Sequence, residues 1–289
     1  MPLQPGDLVL CSGTLPHGVP FSERLAAARG GGFAGISLWG RDYWDARDAG
    51  LGDRDLVSML HDHGLSVAEI DPVWSWLPGA RDVHIPPALD EDRVFEFGES
   101  DLFAIAETLG ARSINAVDVF GGDWTLEEAT ASFSSLCRRA ADHGLLVHLE
   151  FLPWSKIPDL STAWEIVLGA GEVNGGIALD TWHYFRGSPD HDLLRSLPAD
   201  RILAVQLSDA PQEPEANLVR ATLHDRLLPG DGELDLGTFV ANLPDAGVRC
   251  PIGVEVFSDS LHSLPPQRAA RMAGDSARRV LGTIRRSER

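Results

Sequence analysis

Residues 145–180 read LLVHLEFLPWSKIPDLSTAWEIVLGAGEVNGGIALD, and this stretch holds two short apolar runs on either side of a helix-length segment. Leu145–Phe151 and Gly176–Thr181 are short, apolar and β-prone, which predicts two buried strands. Leu160–Ala170, between them, predicts a helix. A strand, a helix and a second strand in this order are typical of βα units around a parallel sheet.

The same alternation extends from one end of the chain to the other, and it predicts eight strands. The other six are Leu8–Leu15, Phe33–Trp39, Ser66–Ile70, Ser113–Val119, Ile202–Leu207 and Ile252–Val256. The clearest further helices are Arg54–His63, Asp101–Leu109, Leu126–His143, Leu236–Ala246 and Pro266–Ile284. Eight βα units favour a closed (β/α)8 TIM barrel over an open doubly wound sheet, which usually has fewer strands. We expect one barrel domain over residues 1–289.

Composition and charge argue against several kinds of partner. The 24 basic and 43 acidic residues give a net charge of −19, which repels a phosphate backbone and argues against nucleic acid as a partner. No apolar run approaches the roughly 18 residues of a membrane helix, and no export signal is evident, so a cytoplasmic protein without a membrane partner is expected. Two long segments, Asp71–Glu96 and Ser208–Asp235, are predicted to be loops over the barrel mouth.

Polar residues end the last four predicted strands. They are Glu150, Asp180, Gln206 and Glu255. In a TIM barrel the residues that end the strands point into the mouth, where the active site lies. Three carboxylates and an amide oxygen at one point would repel one another without a cation, and hard oxygen ligands suit Mg²⁺ or Mn²⁺. For any one acid alone, a turn cap or an ion pair with a loop arginine is the better explanation, whereas four polar residues in register favour the metal.

Five segments resemble the sugar phosphate isomerase/epimerase family of xylose-isomerase-like barrels. They are EFLPW at 150–154, DTWH at 180–183, VQLSDAP at 205–211, RLLPGDGELD at 226–235 and GVEVF at 253–257. The resemblance covers strands five to eight and is weak before residue 110. It implies that Glu150, Asp180, Gln206 and Glu255 bind one divalent metal, that His183 and Arg226 contact substrate, and that the two glutamates act as acid and base.

Gln206 differs from the histidine that many members of that family carry. Glutamine at this position, and the PGDG string at 229–232, are similar to hydroxypyruvate isomerases and 3-dehydroshikimate dehydratases. Mn²⁺ or Mg²⁺ is expected, with Co²⁺ or Zn²⁺ as alternatives. A metal beside a carbonyl stabilises the anion left by proton removal, which suits an isomerase or epimerase of a small polyhydroxylated carbonyl compound. Departure of a β-hydroxyl would instead give a dehydratase of the dehydroshikimate or keto-inositol type.

Other polar residues near the predicted mouth have weaker signals. His183 is expected to bind substrate, whereas Arg226 fits either a substrate contact or an ion pair with Asp225 or Asp231. Asp71 and Asn115 could add polar contacts.

Tryptophans gather at strand ends or just after them, which predicts an aromatic mouth that stacks on a sugar or ring substrate. Trp39, Trp124, Trp154 and Trp182 are the candidate substrate contacts, and Trp44, Trp74 and Trp76 share the pattern. A non-catalytic sugar-binding or complex-forming barrel, and a homo-oligomer, are the alternatives that the sequence leaves open.

Overall fold

The computed structural model describes residues 2–83, 85, 93–243 and 249–287. Within them, eight parallel strands close into a barrel in sequence order, and the first strand pairs with the last. They are β1 Leu8–Leu10, β2 Gly35–Trp39, β3 Ser66–Val73, β4 Ser113–Val117, β5 Leu146–Glu150, β6 Gly175–Asp180, β7 Ile202–Leu207 and β8 Ile252–Val254. The predicted (β/α)8 TIM barrel is therefore confirmed.

Helices surround the barrel and follow each strand. They are α1 Phe21–Gly30, α2 Gly40–Asp48, α3 Asp53–Asp62, α4 Glu99–Leu109, α5 Leu126–Ala141, α6 Leu160–Ala170, α7 Thr181–Arg186, α8 His191–Ser196, α9 Leu218–His224, α10 Leu236–Ala241, α11 Asp259–His262 and α12 Pro266–Ser287. None of the described helices is long and apolar enough to cross a membrane.

Strand β5 illustrates how the sequence produces the two layers of the fold. Val147 and Leu149 belong to the apolar core, whereas His148 and Glu150 take part in polar contacts. Successive side chains of a strand point to opposite faces, so one face packs against the helices and the other fills the barrel. The interior of this barrel is therefore unusually polar, since apolar branched side chains normally dominate there.

The first predicted strand is too long. It ends at Leu10 rather than Leu15, because the chain turns into a 3₁₀ helix at Ser12–Thr14. The Thr14 hydroxyl then donates to the Val254 carbonyl at 2.8 Å.

The segment Ser208–Asp235 was predicted without secondary structure, yet it contains α9. The Asn217 side chain caps that helix, and Ala221 packs against the Trp182 cluster. Of the other long segment, Asp71–Glu96, residues 84 and 86–92 lie outside the described residues, as do residues 244–246 of the predicted helix Leu236–Ala246.

Candidate metal and substrate site

The four candidate ligands lie at the carboxyl ends of neighbouring strands. Glu150 and Asp180 are the last residues of β5 and β6, Gln206 is in β7, and Glu255 follows β8 directly. Strand pairing sets Asp180 beside Gln206, and Gln206 beside Gly253. All four side chains are buried, with relative exposures of 0–7%. The short apolar strands thus bring these polar groups to one end of the barrel.

His183 joins two of the acids more closely than the sequence predicts. One ligand atom each from Glu150, Asp180 and His183 lie within 4.8 Å of one another. His183 reaches this position because the Asp180 carboxylate accepts a hydrogen bond from its backbone N–H at 2.9 Å and so caps α7. The Nε2 atom of His183 is 3.5 Å from Glu150 Oε1. His183 is therefore a candidate metal neighbour as well as a candidate substrate contact.

Arg226 is the cation that compensates these acids. Its Nη1 lies 2.7 Å from Asp180 Oδ2 and 3.3 Å from Glu255 Oε2. Its Nη2 lies 3.2 Å from His183 Nε2, and since a guanidinium only donates, this ring nitrogen accepts. The alternative pairing with Asp225 or Asp231 is wrong.

Those two acids pair with other arginines. Asp225 lies 3.7 Å from Arg220, and Asp231 lies 3.2 Å from Arg279. Asp180 thus caps helix α7 and forms an ion pair with Arg226. Neither contact excludes a bound metal ion.

Burial and mutual repulsion shift the protonation of the site. Burial and the Asp180 carboxylate raise the pKa of Glu150 to about 8. Burial also raises the pKa of Glu255, against the opposing effect of Arg226. Burial alone would raise the pKa of Asp180, but Arg226 reverses this effect and lowers it. Burial lowers the pKa of His183 to about 3, so its ring is neutral. Asp180 is therefore the most firmly ionised of these carboxylates.

The polar atoms around the acids fit a divalent cation. Among the described residues, Gln206 Oε1 and His183 Nδ1 are buried and have no hydrogen-bond partner. An unsatisfied buried oxygen costs free energy unless a ligand meets it. The carboxylate and amide oxygens form a donor set that Mg²⁺ or Mn²⁺ accepts, whereas the neutral ring of His183 uses Nε2 to accept from Arg226 and carries its proton on Nδ1. The residues present therefore suit a metal ion, with Gln206 offering its oxygen.

A cavity of about 340 Å³ opens above these groups. Glu150, His183, Arg226 and Glu255 all contribute to its lining. So do Trp39 and Trp154, two of the four tryptophans expected there. Trp39 stacks between His17 and Phe257, with ring centroids 4.7 and 5.9 Å away. Part of the aromatic mouth is thus present.

The other two expected tryptophans do not line this cavity. Trp182 is fully buried, with the Arg226 guanidinium 5.6 Å from its ring. Trp124 lies under the Lys156 ammonium at 4.4 Å, and that ammonium donates to two loop carbonyls. Trp44 lies in α2 and is 40% exposed. A tryptophan that follows a strand does not always reach the cavity, because the loop after the strand can fold over its indole ring.

Asn115 and Asp71 both reach the site. The Asn115 amide donates to Glu150 Oε2 at 2.6 Å. Asp71 lines the cavity, and burial raises its pKa.

The sequence analysis missed Glu69 and His148, which lie 2.9 Å apart inside the barrel. Both could have been found from the alternation of polar residues along their strands. Glu69 lies two positions before the buried Asp71 in β3, and His148 lies two positions before the buried Glu150 in β5.

A family model described as xylose isomerase-like TIM barrel matches residues 25–280. The chain belongs to the xylose isomerase-like TIM barrel family. The match includes every candidate ligand, and it confirms the resemblance found in the sequence.

The relatives that the chain resembles in sequence are named as enzymes. The chain is 28% identical over 269 residues to a 3-dehydroshikimate dehydratase of Pseudomonas aeruginosa, covering 91% of this chain but 39% of the relative. It is 24% identical over 181 residues to an inosose isomerase of Bacillus velezensis, covering 60% of this chain and 64% of the relative. The chain thus spans less than two thirds of the length of these relatives.

A solved structure supports the same fold. The structure described as the IOLI protein with a binding zinc atom superposes with a TM-score of 0.82 at 19% identity. The alignment covers 96% of this chain and 99% of that one. At this identity the likeness concerns the fold, and the zinc atom is a property of that protein.

Proposed function

We propose that this chain is a divalent-metal-dependent isomerase or epimerase of a small polyhydroxylated carbonyl compound. One observation carries the proposal: ligand atoms of Glu150, Asp180 and His183 converge within 4.8 Å, and Glu150 and His183 also line the cavity. Glu150, Asp180, Gln206 and Glu255 would hold the ion, with Mn²⁺ or Mg²⁺ preferred for their oxygen atoms. When bound, such an ion supplies Lewis acidity that stabilises negative charge on a substrate oxygen.

Glu150 and Glu255 would move the proton. Both side chains line the cavity, and burial raises the pKa of each, to about 8 for Glu150, so that Glu150 can hold a proton near neutral pH. A general acid or base works best when its pKa is near the working pH. One glutamate would remove the proton next to the carbonyl and the other would return it, which conserves the atoms of the substrate.

His183 and Arg226 would organise the site. Arg226 spans Asp180 and Glu255, so it holds the β6 and β8 ends together while its other nitrogen fixes the ring of His183. The neutral ring then presents Nδ1 as a donor, and this atom has no partner among the described residues. A substrate hydroxyl or carbonyl oxygen is a suitable acceptor for that N–H.

The cavity favours an uncharged substrate. Arg226 is the only arginine or lysine among the described residues that line it, and it already pairs with Asp180 and Glu255. Trp39 and Trp154 offer apolar surface to a sugar or ring. A substrate carboxylate or phosphate would have to compete with two buried carboxylates for the same guanidinium. These features support a keto-sugar or a cyclic polyol ketone.

A dehydratase is the second candidate. The match to a 3-dehydroshikimate dehydratase over 91% of this chain favours it. The same glutamates could remove a proton and then protonate a departing β-hydroxyl, so that water is lost. The two candidates share the first step and differ in the fate of the hydroxyl.

A product screen separates the candidates. Metal-stripped protein, with and without added Mn²⁺, would be incubated with neutral ketoses, cyclic polyol ketones and a dehydroshikimate-type acid in deuterated water. Incorporation of deuterium next to the carbonyl, with the substrate mass otherwise conserved, supports the isomerase. Loss of water from the acid supports the dehydratase. Absence of metal-dependent exchange with every compound would favour the non-catalytic barrel and contradict both.

A further inference from the structure

Five buried side chains form a continuous line of contacts inside the barrel, beneath the candidate metal site. We call it the interior network, and its members are Gln206, Glu69, His148, Asn115 and Glu150. Gln206 Nε2 donates to Glu69 Oε1 at 3.2 Å, and Glu69 Oε2 lies 2.9 Å from His148 Nε2. His148 Nδ1 lies 3.0 Å from Asn115 Oδ1, and Asn115 Nδ2 donates to Glu150 Oε2 at 2.6 Å. The network joins candidate ligands on β7 and β5 through residues of β3, β4 and β5.

Each end of the line orients one candidate ligand. At one end the Asn115 amide nitrogen donates to Glu150 Oε2, and the amide oxygen lies opposite His148 Nδ1. At the other end one oxygen of Glu69 lies against His148 Nε2, and the second accepts from Gln206 Nε2. Glu69 thereby turns the amide nitrogen of Gln206 toward itself.

The consequence falls on the amide of Gln206. With its nitrogen bound to Glu69, its oxygen is left buried and without a partner among the described residues, and the side chain is 1% exposed. A flipped amide would set oxygen against the Glu69 carboxylate and turn the nitrogen away from it. Two acceptors in contact repel, and an NH₂ group cannot bind a cation.

We propose that Glu69 is a positioning residue that makes Gln206 present its oxygen to a divalent cation. His148 and Asn115 join Glu69 to Glu150 by continuous contacts, and Asn115 holds the Glu150 carboxyl directly. The inference rests on the metal site of the proposed function. Glu69 lies in β3, and strands β1 to β4 supply no candidate metal ligand.

The test is a double-substitution cycle on metal affinity, measured without substrate. Mn²⁺ would be titrated calorimetrically into the metal-stripped full chain and into Glu69→Gln, Gln206→Ala and the double variant. Loss of a partner that orients a metal ligand typically weakens affinity by about 10–100-fold, and we expect a weakening of that size for Glu69→Gln. In the Gln206→Ala background the same change should have little further effect, because the group that Glu69 orients is gone.

The cycle separates orientation from simple charge loss. Removing a carboxylate near a cation weakens binding in any background, so equal effects of Glu69→Gln with and without Gln206 would overturn the proposal. An unchanged Kd for Glu69→Gln would overturn it as well. If the unsubstituted chain binds no divalent ion, the proposed function fails first, and this outcome is distinct from both.

A second pair of variants applies if Glu69→Gln does not fold, as judged by circular dichroism. Asn115→Ala cuts the interior network beside Glu150 and should weaken Mn²⁺ binding by about 10-fold or more. Ser276→Ala is the control, since Ser276 is fully buried, donates to the Ala273 carbonyl and lies in α12, outside the interior network. It is not a link between the ligands, and its Kd should be unchanged. Equal Kd values for the two variants would contradict the proposal.

Discussion

The two halves of the barrel differ in what they contribute to the cavity. Strands β5 to β8 each end in a candidate ligand, and one arginine spans two of those acids. Strands β1 to β4 end in no such ligand, but Trp39 of β2 forms part of the cavity wall and Asn115 of β4 bonds to Glu150. The difference indicates that one half would perform the chemistry, while the other would shape the cavity and orient the ligands.

The largest expected effect of substitution is in the second half. Glu150→Gln or Glu255→Gln should lower kcat by about 10²–10⁴-fold, the range for loss of a general acid or base. Asp180→Asn should instead weaken metal binding, so that its activity recovers at high Mn²⁺ concentration. Steady-state rates over a range of Mn²⁺ concentrations would compare the three variants.

The outcome tests whether the two glutamates do more than hold the ion. Full recovery of Glu150→Gln and Glu255→Gln at high Mn²⁺ would remove their proposed acid and base functions. If the activity of Asp180→Asn does not recover at high Mn²⁺ concentration, Asp180 does more than bind the metal. Calorimetric titration of each variant with Mn²⁺ supplies the control for occupancy of the site.

A smaller effect is expected at Gln206, the candidate ligand of the second half that contacts the first half through Glu69. Gln206→His should move the metal preference from Mg²⁺ and Mn²⁺ toward Co²⁺ and Zn²⁺, because it replaces an oxygen donor with a nitrogen donor. Turnover of the stripped protein reloaded with each of the four ions would show this. Identical preference profiles for the two proteins, or full activity of stripped protein with no metal added, would contradict ligation by Gln206.

The smallest effect is expected in the first half, at the cavity wall. Trp39→Ala should raise KM by about 2- to 10-fold with little change in kcat, the size of an aromatic contact of about 0.5–1.5 kcal/mol. Trp124→Ala is the matched control, since this indole is also buried and packs beneath Lys156 outside the cavity lining. Its KM should stay near that of the unsubstituted chain. Equal changes in KM for the two variants would remove Trp39 from the substrate site.

The arrangement of strands and helices could be predicted from the sequence to within a few residues. The strand at residues 202–207 was predicted with its observed bounds, and the helix at 160–170 likewise. Glu150, Asp180, Gln206 and Glu255 were recognised as candidate ligands because they lie at or next to the carboxyl ends of β5 to β8, where TIM barrels have their active sites. The short helix α9 was missed, because it is stabilised by a side-chain cap at Asn217 and by contacts with residues that are distant in the sequence.

The sequence by itself determined the barrel and the end at which its polar groups gather, because these depend on short-range periodicity that every βα unit repeats. Only the tertiary structure decided that Arg226 lies between Asp180 and Glu255 and that Glu69 faces Gln206. Glu69 and Gln206 are 137 positions apart, and Arg226 and Asp180 are 46 apart. Contacts between such distant positions follow from the closure of the barrel, which brings together side chains that no local pattern relates.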